Sequence, residues 1–277
     1  WRAAAARALE LSAMIEQFTE VWGQWGRAWP LFSERLAATD WLLLIRWAAQ
    51  NLFLSLLIAA VDLGAGACLV RRAEKWLGRR LTSVVFTLLA LAWGIGLAGF
   101  GVFALGLAHK LSPRGVFLLT LLLTALAIPG WLGDRRRLAL GLGALVPRTK
   151  LAWAIAVILL PAALLHLADL LQPIQEGDST MYHMVAAREY GRVRALPYQP
   201  GVRFNAQPHL SVLLYLRHWL LLGDEMLVKL FNVELSLLLL LALAAALRLY
   251  RAPRDSLALA LVFILASPVF AWMTKIE

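Results

Sequence analysis

Charge is scarce in this chain: 16% of its 277 residues are Asp, Glu, Lys or Arg, against roughly 25% in an ordinary soluble domain. Beside that scarcity stand 61% hydrophobic residues, more apolar surface than one soluble core can hide, which excludes an ordinary globular protein. Cysteine is nearly absent too. The single Cys68, set in an apolar run, excludes a disulfide framework and a cysteine-based metal site within one chain. No repeat or low-complexity tract is found. No secretory leader can be read at Trp1, so the native start is expected upstream, and Glu277 directly follows an apolar run, so further chain is expected there as well.

What is present is a series of runs long enough for a bilayer core of about 30 Å, which takes about 20 helical residues. Apolar segments fall at 41–70, 81–108, 115–132, 151–171, 208–222, 226–247 and 256–273, and 81–108 has no charged side chain at all. The sequence therefore predicts an all-α, polytopic transmembrane bundle. Residues 1–40 read as an amphipathic interfacial helix, with Leu9, Ile15, Phe18, Val21, Trp22 and Trp25 near helical spacing. The segments at 41–150 form an N-terminal group of membrane helices, and 151–277 a second module with a long polar loop at 173–207 and short amphipathic helices.

The net charge of +10 lies in short blocks between apolar segments, the pattern of cytoplasmic membrane loops rather than of a nucleic-acid partner. Arg71, Arg72, Lys75, Arg79 and Arg80 form one block, and Arg135, Arg136, Arg137, Arg148 and Lys150 another, in a loop read over 133–150. Both are predicted cytoplasmic, which puts Lys110, Arg114 and the loop 173–207 outside. Arg248, Arg251 and Arg254 look cytoplasmic too, so one of 208–222 and 226–247 should not span. The shorter, at roughly 22 Å of helix, contains Arg217 and His218 and is read as interfacial or re-entrant.

The loop from Pro173 to Pro208 far exceeds the usual connection of about 4–6 residues, and its aromatic content suits folding over the membrane surface. Glu176 and Asp178 open it at the water–lipid boundary, where partial desolvation raises carboxylate basicity and suits proton removal from a hydroxyl. Asp178 is equally a helix N-cap for the residues after it. His183 reads as a phosphate donor, a metal ligand or an ordinary loop histidine. Arg188 and Arg192, four apart, are placed to grip an anion or to meet lipid head groups. Arg203, Asn205, Gln207 and His209 line either a sugar pocket or a solvated loop. Lys275 and Glu277 fall on the same predicted face, where snorkelling at a helix end is the plainer reading.

Two further features carry no chemistry at this level. Gly94-Ile95-Gly96-Leu97-Ala98-Gly99 fits a dinucleotide pattern but lacks the preceding strand, so helix packing is expected. Asp62 is close to Arg71 in sequence and is expected near the cytoplasmic boundary.

The run Asp178-Ser179-Thr180-Met181-Tyr182-His183-Met184, then Arg188-Glu189-Tyr190, and Asn205-Ala206-Gln207-Pro208-His209 leading into Leu213-Leu214-Tyr215, resembles the first external loop of GT-C membrane glycosyltransferases of the protein O-mannosyltransferase and aminoarabinose-transferase type. Gly223-Asp224-Glu225 before Leu227-Val228-Lys229-Leu230, and Ser267-Pro268, extend the likeness over about 151–277. The chain departs from the family at Ala206-Gln207-Pro208, where relatives often carry an aromatic residue and two prolines. The second external acid corresponds to Glu277 or lies beyond it. The resemblance implies an N-terminal piece of an enzyme that transfers a sugar, with inversion, from a polyprenyl-phosphate donor at the outer face of a bacterial inner membrane. It implies Asp178 as general base, with His183, Arg188 or Lys275 facing the departing phosphate, and Glu176, Tyr182, Arg192, Arg203, Asn205, His209 and Glu277 as substrate-binding candidates. Some relatives use a divalent metal, and the residues here leave metal, sugar and acceptor open.

A transporter or lipid-translocating protein is the alternative. Such proteins place ionisable residues at mid-membrane, whereas here the polar residues gather in an external loop and Glu234 falls near a segment end. A scaffold subunit, the third reading, leaves that loop without a task.

Overall fold

In lipid a chain must satisfy its backbone hydrogen bonds within each segment, so apolar runs of this length become helices. The computed structural model describes residues 41–158, 160, 184–196, 210–222 and 231–249, with no strand among them. Its helices are α1 (Trp41–Leu77), α2 (Ser83–Leu107), α3 (Pro113–Leu142), a helical stretch α4 at 150–158, α5 (Met184–Val193), α6 (Leu210–Leu222) and α7 (Phe231–Leu249). Among the described residues, α1, α2, α3 and α7 are long and apolar enough to cross a membrane. They leave Trp93, Phe100, Phe117, Leu122 and Leu132 exposed, as lipid-facing helices do. The protein is a multi-pass integral membrane protein. The predicted interfacial helix over 1–40 and the segment 256–273 lie outside the described residues.

Contacts divide the chain into residues 1–50 and 51–277, and the second unit carries the helix bundle. Its core joins α1, α2, α3, α6 and α7 through Leu63, Phe86, Leu91, Leu123, Leu214 and Phe231. Helices from before and after residue 150 thus share one core.

Small residues let three backbones approach closely, the usual device where lipid supplies no hydrophobic drive between helices. A Cβ at Gly94 would run into the Asp62 carbonyl, one at Gly66 into the Ala90 carbonyl, and one at Gly130 into the Gly64 carbonyl. Within the glycine run of α2, Gly94 is therefore a helix-packing position, in line with the packing expected of that run. Gly96, two residues on and about 200° round the helix, faces open space. Gly94→Leu is accordingly expected to cost about 1–3 kcal/mol or more by overpacking, with Gly96→Leu near neutral, in unfolding of the full chain in detergent. Equal losses at both positions would remove the close-approach argument.

The turns are made by local chemistry. The α2–α3 turn closes as Lys110 N–H donates to Leu105 O (2.8 Å) and His109 N–H to Gly106 O (3.2 Å), with His109 at φ 56°; this is the Schellman arrangement. Ser112 then caps α3 by accepting from Gly115 N at 3.2 Å, and Pro113 stands in the first turn. At the opposite end, Gly78 leaves α1 at φ +65°, and Leu81 N donates to Glu74 Oε1 at 2.5 Å.

Two sequence-based readings need correction. The loop predicted over 133–150 is not a loop throughout: α3 runs on to Leu142, because Arg71 holds Asp134 and Arg137 reaches Glu74, so the charges are matched at the end of the helix. Of the two readings of α6, interfacial or re-entrant, the interfacial one is overturned. Residues 212–218 are all buried, packed among α2, α3, α5 and α7. At 13 residues it is about 20 Å long, a short insert within the bundle.

Candidate functional site

Most of the predicted loop site (Glu176, Asp178, Tyr182, His183, Arg203, Asn205, His209, Lys275 and Glu277) lies outside the described residues. The next described element along the chain is α5. Ala186, Ala187 and Tyr190 form its buried face, at helical spacing, and pack with Val102, Leu111, Val116, Val212 and Leu216. The Leu111 N–H donates to Arg194 O at 3.1 Å, where Arg194 turns the chain at φ 57°. These contacts seat α5 beside the α2–α3 turn. The Arg71–Glu74–Asp134–Arg137 cluster stands at the other end of the same helices, so the two basic stretches predicted to share one side do share one end.

Of the two α5 cations, Arg188 is exposed, and Arg192 is held by Glu189 through two bonds of 2.8 and 2.5 Å. That guanidinium draws the Glu189 carboxyl below its ordinary range, and burial pushes the Tyr190 phenol up. Arg192 is thus already engaged with an acid, which weakens its case as an anion contact.

The feature that sequence reasoning missed is a group of ionisable side chains with no exposed surface. Asp62 was expected near a boundary. Instead it stands midway along the apolar stretch Arg46–Leu77, level with Gly94 near the middle of α2. Its carboxylate takes Arg217 Nη1 at 2.6 Å and Nη2 at 2.8 Å, a fork-to-fork pair. On the next residue of α6, His218 Nδ1 lies 3.0 Å from Leu214 O. A carbonyl only accepts, so Nδ1 carries the proton and donates. His218 Nε2 then faces Glu234 Oε1 at 3.3 Å, within ion-pair reach but without an aligned hydrogen bond. Nε2, both Glu234 oxygens and Arg217 Nε lack a hydrogen-bond partner among the described residues.

Charge decides how this group must be read. Asp62 and Arg217 neutralise one another; Glu234 facing a neutral His218 leaves one buried negative charge, which is strongly unfavourable in an apolar interior. The signal was available: Arg217 and His218 in a short apolar segment require acidic partners, and Asp62 and Glu234 are acids within apolar segments. Only their mutual distance was missing.

At the other end, Arg71, Glu74, Asp134 and Arg137 form the wall of a cavity of about 490 Å³. Arg137 meets both Glu74 oxygens at 2.7 Å, donates to Leu81 O at 3.0 Å and stacks 3.9 Å from the Phe86 ring centre. Among the described residues no group of three or more His, Cys, Asp or Glu is arranged to hold a metal ion. Comparisons with protein-family models, with curated proteins and with solved structures find nothing that matches this chain.

Proposed function

We propose that this chain belongs to a membrane glycosyltransferase that moves a sugar, with inversion, from a polyprenyl-phosphate donor to an acceptor hydroxyl at the outer face of the membrane, with Asp178 as general base. The observation that carries the reading is α5. It begins immediately after the Asp178–His183 run, docks on the bundle through Ala186, Ala187 and Tyr190, and lies at the end opposite the basic cluster that the positive-inside rule assigns to the cytoplasm. A polar motif leading into a docked helix can be held against the membrane surface, where a lipid-linked donor presents its phosphate.

The proposed reaction balances simply. The acceptor oxygen attacks the anomeric carbon as its proton passes to the Asp178 carboxylate, and the sugar–phosphate C–O bond breaks with the electron pair leaving on the lipid phosphate. Preorganised positive charge stabilises that departing group; Arg188, His183 and Lys275 are the candidates. In this reading the membrane is a bacterial inner membrane with 173–207 outside. The test is transfer from a panel of labelled polyprenyl-phosphate sugars by full-length protein in membranes, wild type against Asp178→Asn at matched expression. Transfer lost in the variant supports the proposal; transfer undiminished in the variant ends the role of Asp178.

The transporter reading gains one observation, the buried Asp62–Arg217 and His218–Glu234 pairs at mid-bundle, since ionisable groups at that depth commonly mark ion paths. It predicts no transfer from any donor, and uptake or lipid flipping that changes when Glu234 or His218 is replaced.

A further inference from the structure

The cavity beside the α1–α2 turn has a composition that defines its ligand. Its lining holds five cations against two carboxylates, and both carboxylates are engaged. Glu74 is closed by Arg137 and by Leu81 N–H; Asp134 is closed by Arg71 at 2.6 Å, with Arg137 at 3.6 Å. Arg71 is braced further by Pro129 O at 2.8 Å. Lys75, Arg79 and Arg80 remain on the same cavity, exposed and without a hydrogen bond or close ion pair among the described residues. The wall's two carboxylates are therefore matched by Arg71 and Arg137, and three positive charges are left over in the lining.

The setting is equally specific. Trp76 and Leu77, at 86% and 61% exposure, do not line the cavity but fall between its lining residues Lys75 and Gly78 in sequence, at the end of a membrane-crossing helix. Exposed Trp at such an end sits at head-group level. At about 490 Å³ the space is in the range of small-molecule pockets.

We propose that this cavity binds the head group of an anionic lipid carrying two phosphates, held by Lys75, Arg79 and Arg80, with Trp76 and Leu77 against its acyl chains. The site stands at the opposite end of the bundle from α5 and does not depend on which reaction occurs there. It also differs from diffuse attraction to a charged surface, because Arg72, Arg135 and Arg136 are exposed nearby but do not line the cavity.

That contrast supplies the experiment. Full-length protein is exchanged into nanodiscs of phosphatidylcholine containing a low fraction of cardiolipin, and retained lipid is quantified for wild type, for Lys75→Gln/Arg79→Gln/Arg80→Gln, and for Arg72→Gln/Arg135→Gln/Arg136→Gln. Neither triple variant touches a buried ion pair, so both should fold. With about a tenfold change for each 1.4 kcal/mol and on the order of 1 kcal/mol per basic residue near a membrane surface, the cavity variant is expected to lose roughly 100-fold in affinity while the off-cavity variant keeps most of it. Equal losses in both variants, or none in either, overturn the site. Inorganic pyrophosphate binding the detergent-solubilised protein as tightly as cardiolipin overturns the lipid assignment in favour of a soluble diphosphate.

Discussion

Asp62→Leu and Arg217→Met, made singly, are each expected to destabilise the protein by about 3–5 kcal/mol, while the double variant should return close to wild type. The asymmetry arises from burial. Neither side chain has exposed surface, so removing one partner strands a full charge where no water can reach it, whereas removing both replaces an ion pair with apolar volume. Unfolding of the full chain in detergent, read as a double-mutant cycle, measures the coupling directly. Additive losses would show that the two groups do not interact. The pair also accounts for the position of α6: a helix of 13 residues is too short to span the bilayer core, and a bidentate contact to α1 fixes its depth. The single Arg217→Met variant should therefore loosen α6 beyond the loss of one contact, seen as faster hydrogen exchange across 212–218.

Asp178→Asn is expected to lower sugar transfer by about 10²–10⁴-fold, the usual contribution of a general base. The substitution keeps the size of the side chain and its ability to cap a helix, and removes the proton acceptor. Asp178→Ser sharpens the distinction. Serine caps a helix N-terminus nearly as well as aspartate, so if Asp178 serves only as a cap, the serine variant should transfer at close to the wild-type rate. If Asp178 is the base, serine should be as inactive as asparagine while protein amount and thermal stability stay near wild type. Activity retained in both variants would move the chemistry away from this residue.

The helices were legible because their signal is local. The uncharged run 81–108 predicted α2 within two residues at its start and one at its end, and the positive-inside pattern correctly grouped the basic stretches that Arg71, Asp134, Glu74 and Arg137 bring together. The end of α3 was misjudged for an equally physical reason. Asp134 to Arg137 looks like a solvated loop in a hydropathy profile, but residues three and four apart on a helix can deliver charge to a neighbouring helix, and those partners lie 63 residues away.

Asp62, Arg217, His218 and Glu234 show the same limit at the centre of the molecule. Their types and their apolar surroundings were visible, and each alone is an anomaly. Whether an isolated acid in an apolar run sits at a boundary or in the core depends on a counter-ion that chain distance does not reveal; Asp62 and Arg217 are separated by 155 positions and meet at 2.6 Å. By itself the sequence determined that this is a helical protein of the membrane, and where α2 begins and ends to within two residues, because hydrophobicity, charge and helix period act over a few turns. Tertiary structure alone decided that α6 is buried in the bundle, that four ionisable groups pair in its interior and that five basic residues line a common cavity, because burial and electrostatics depend on distances in space.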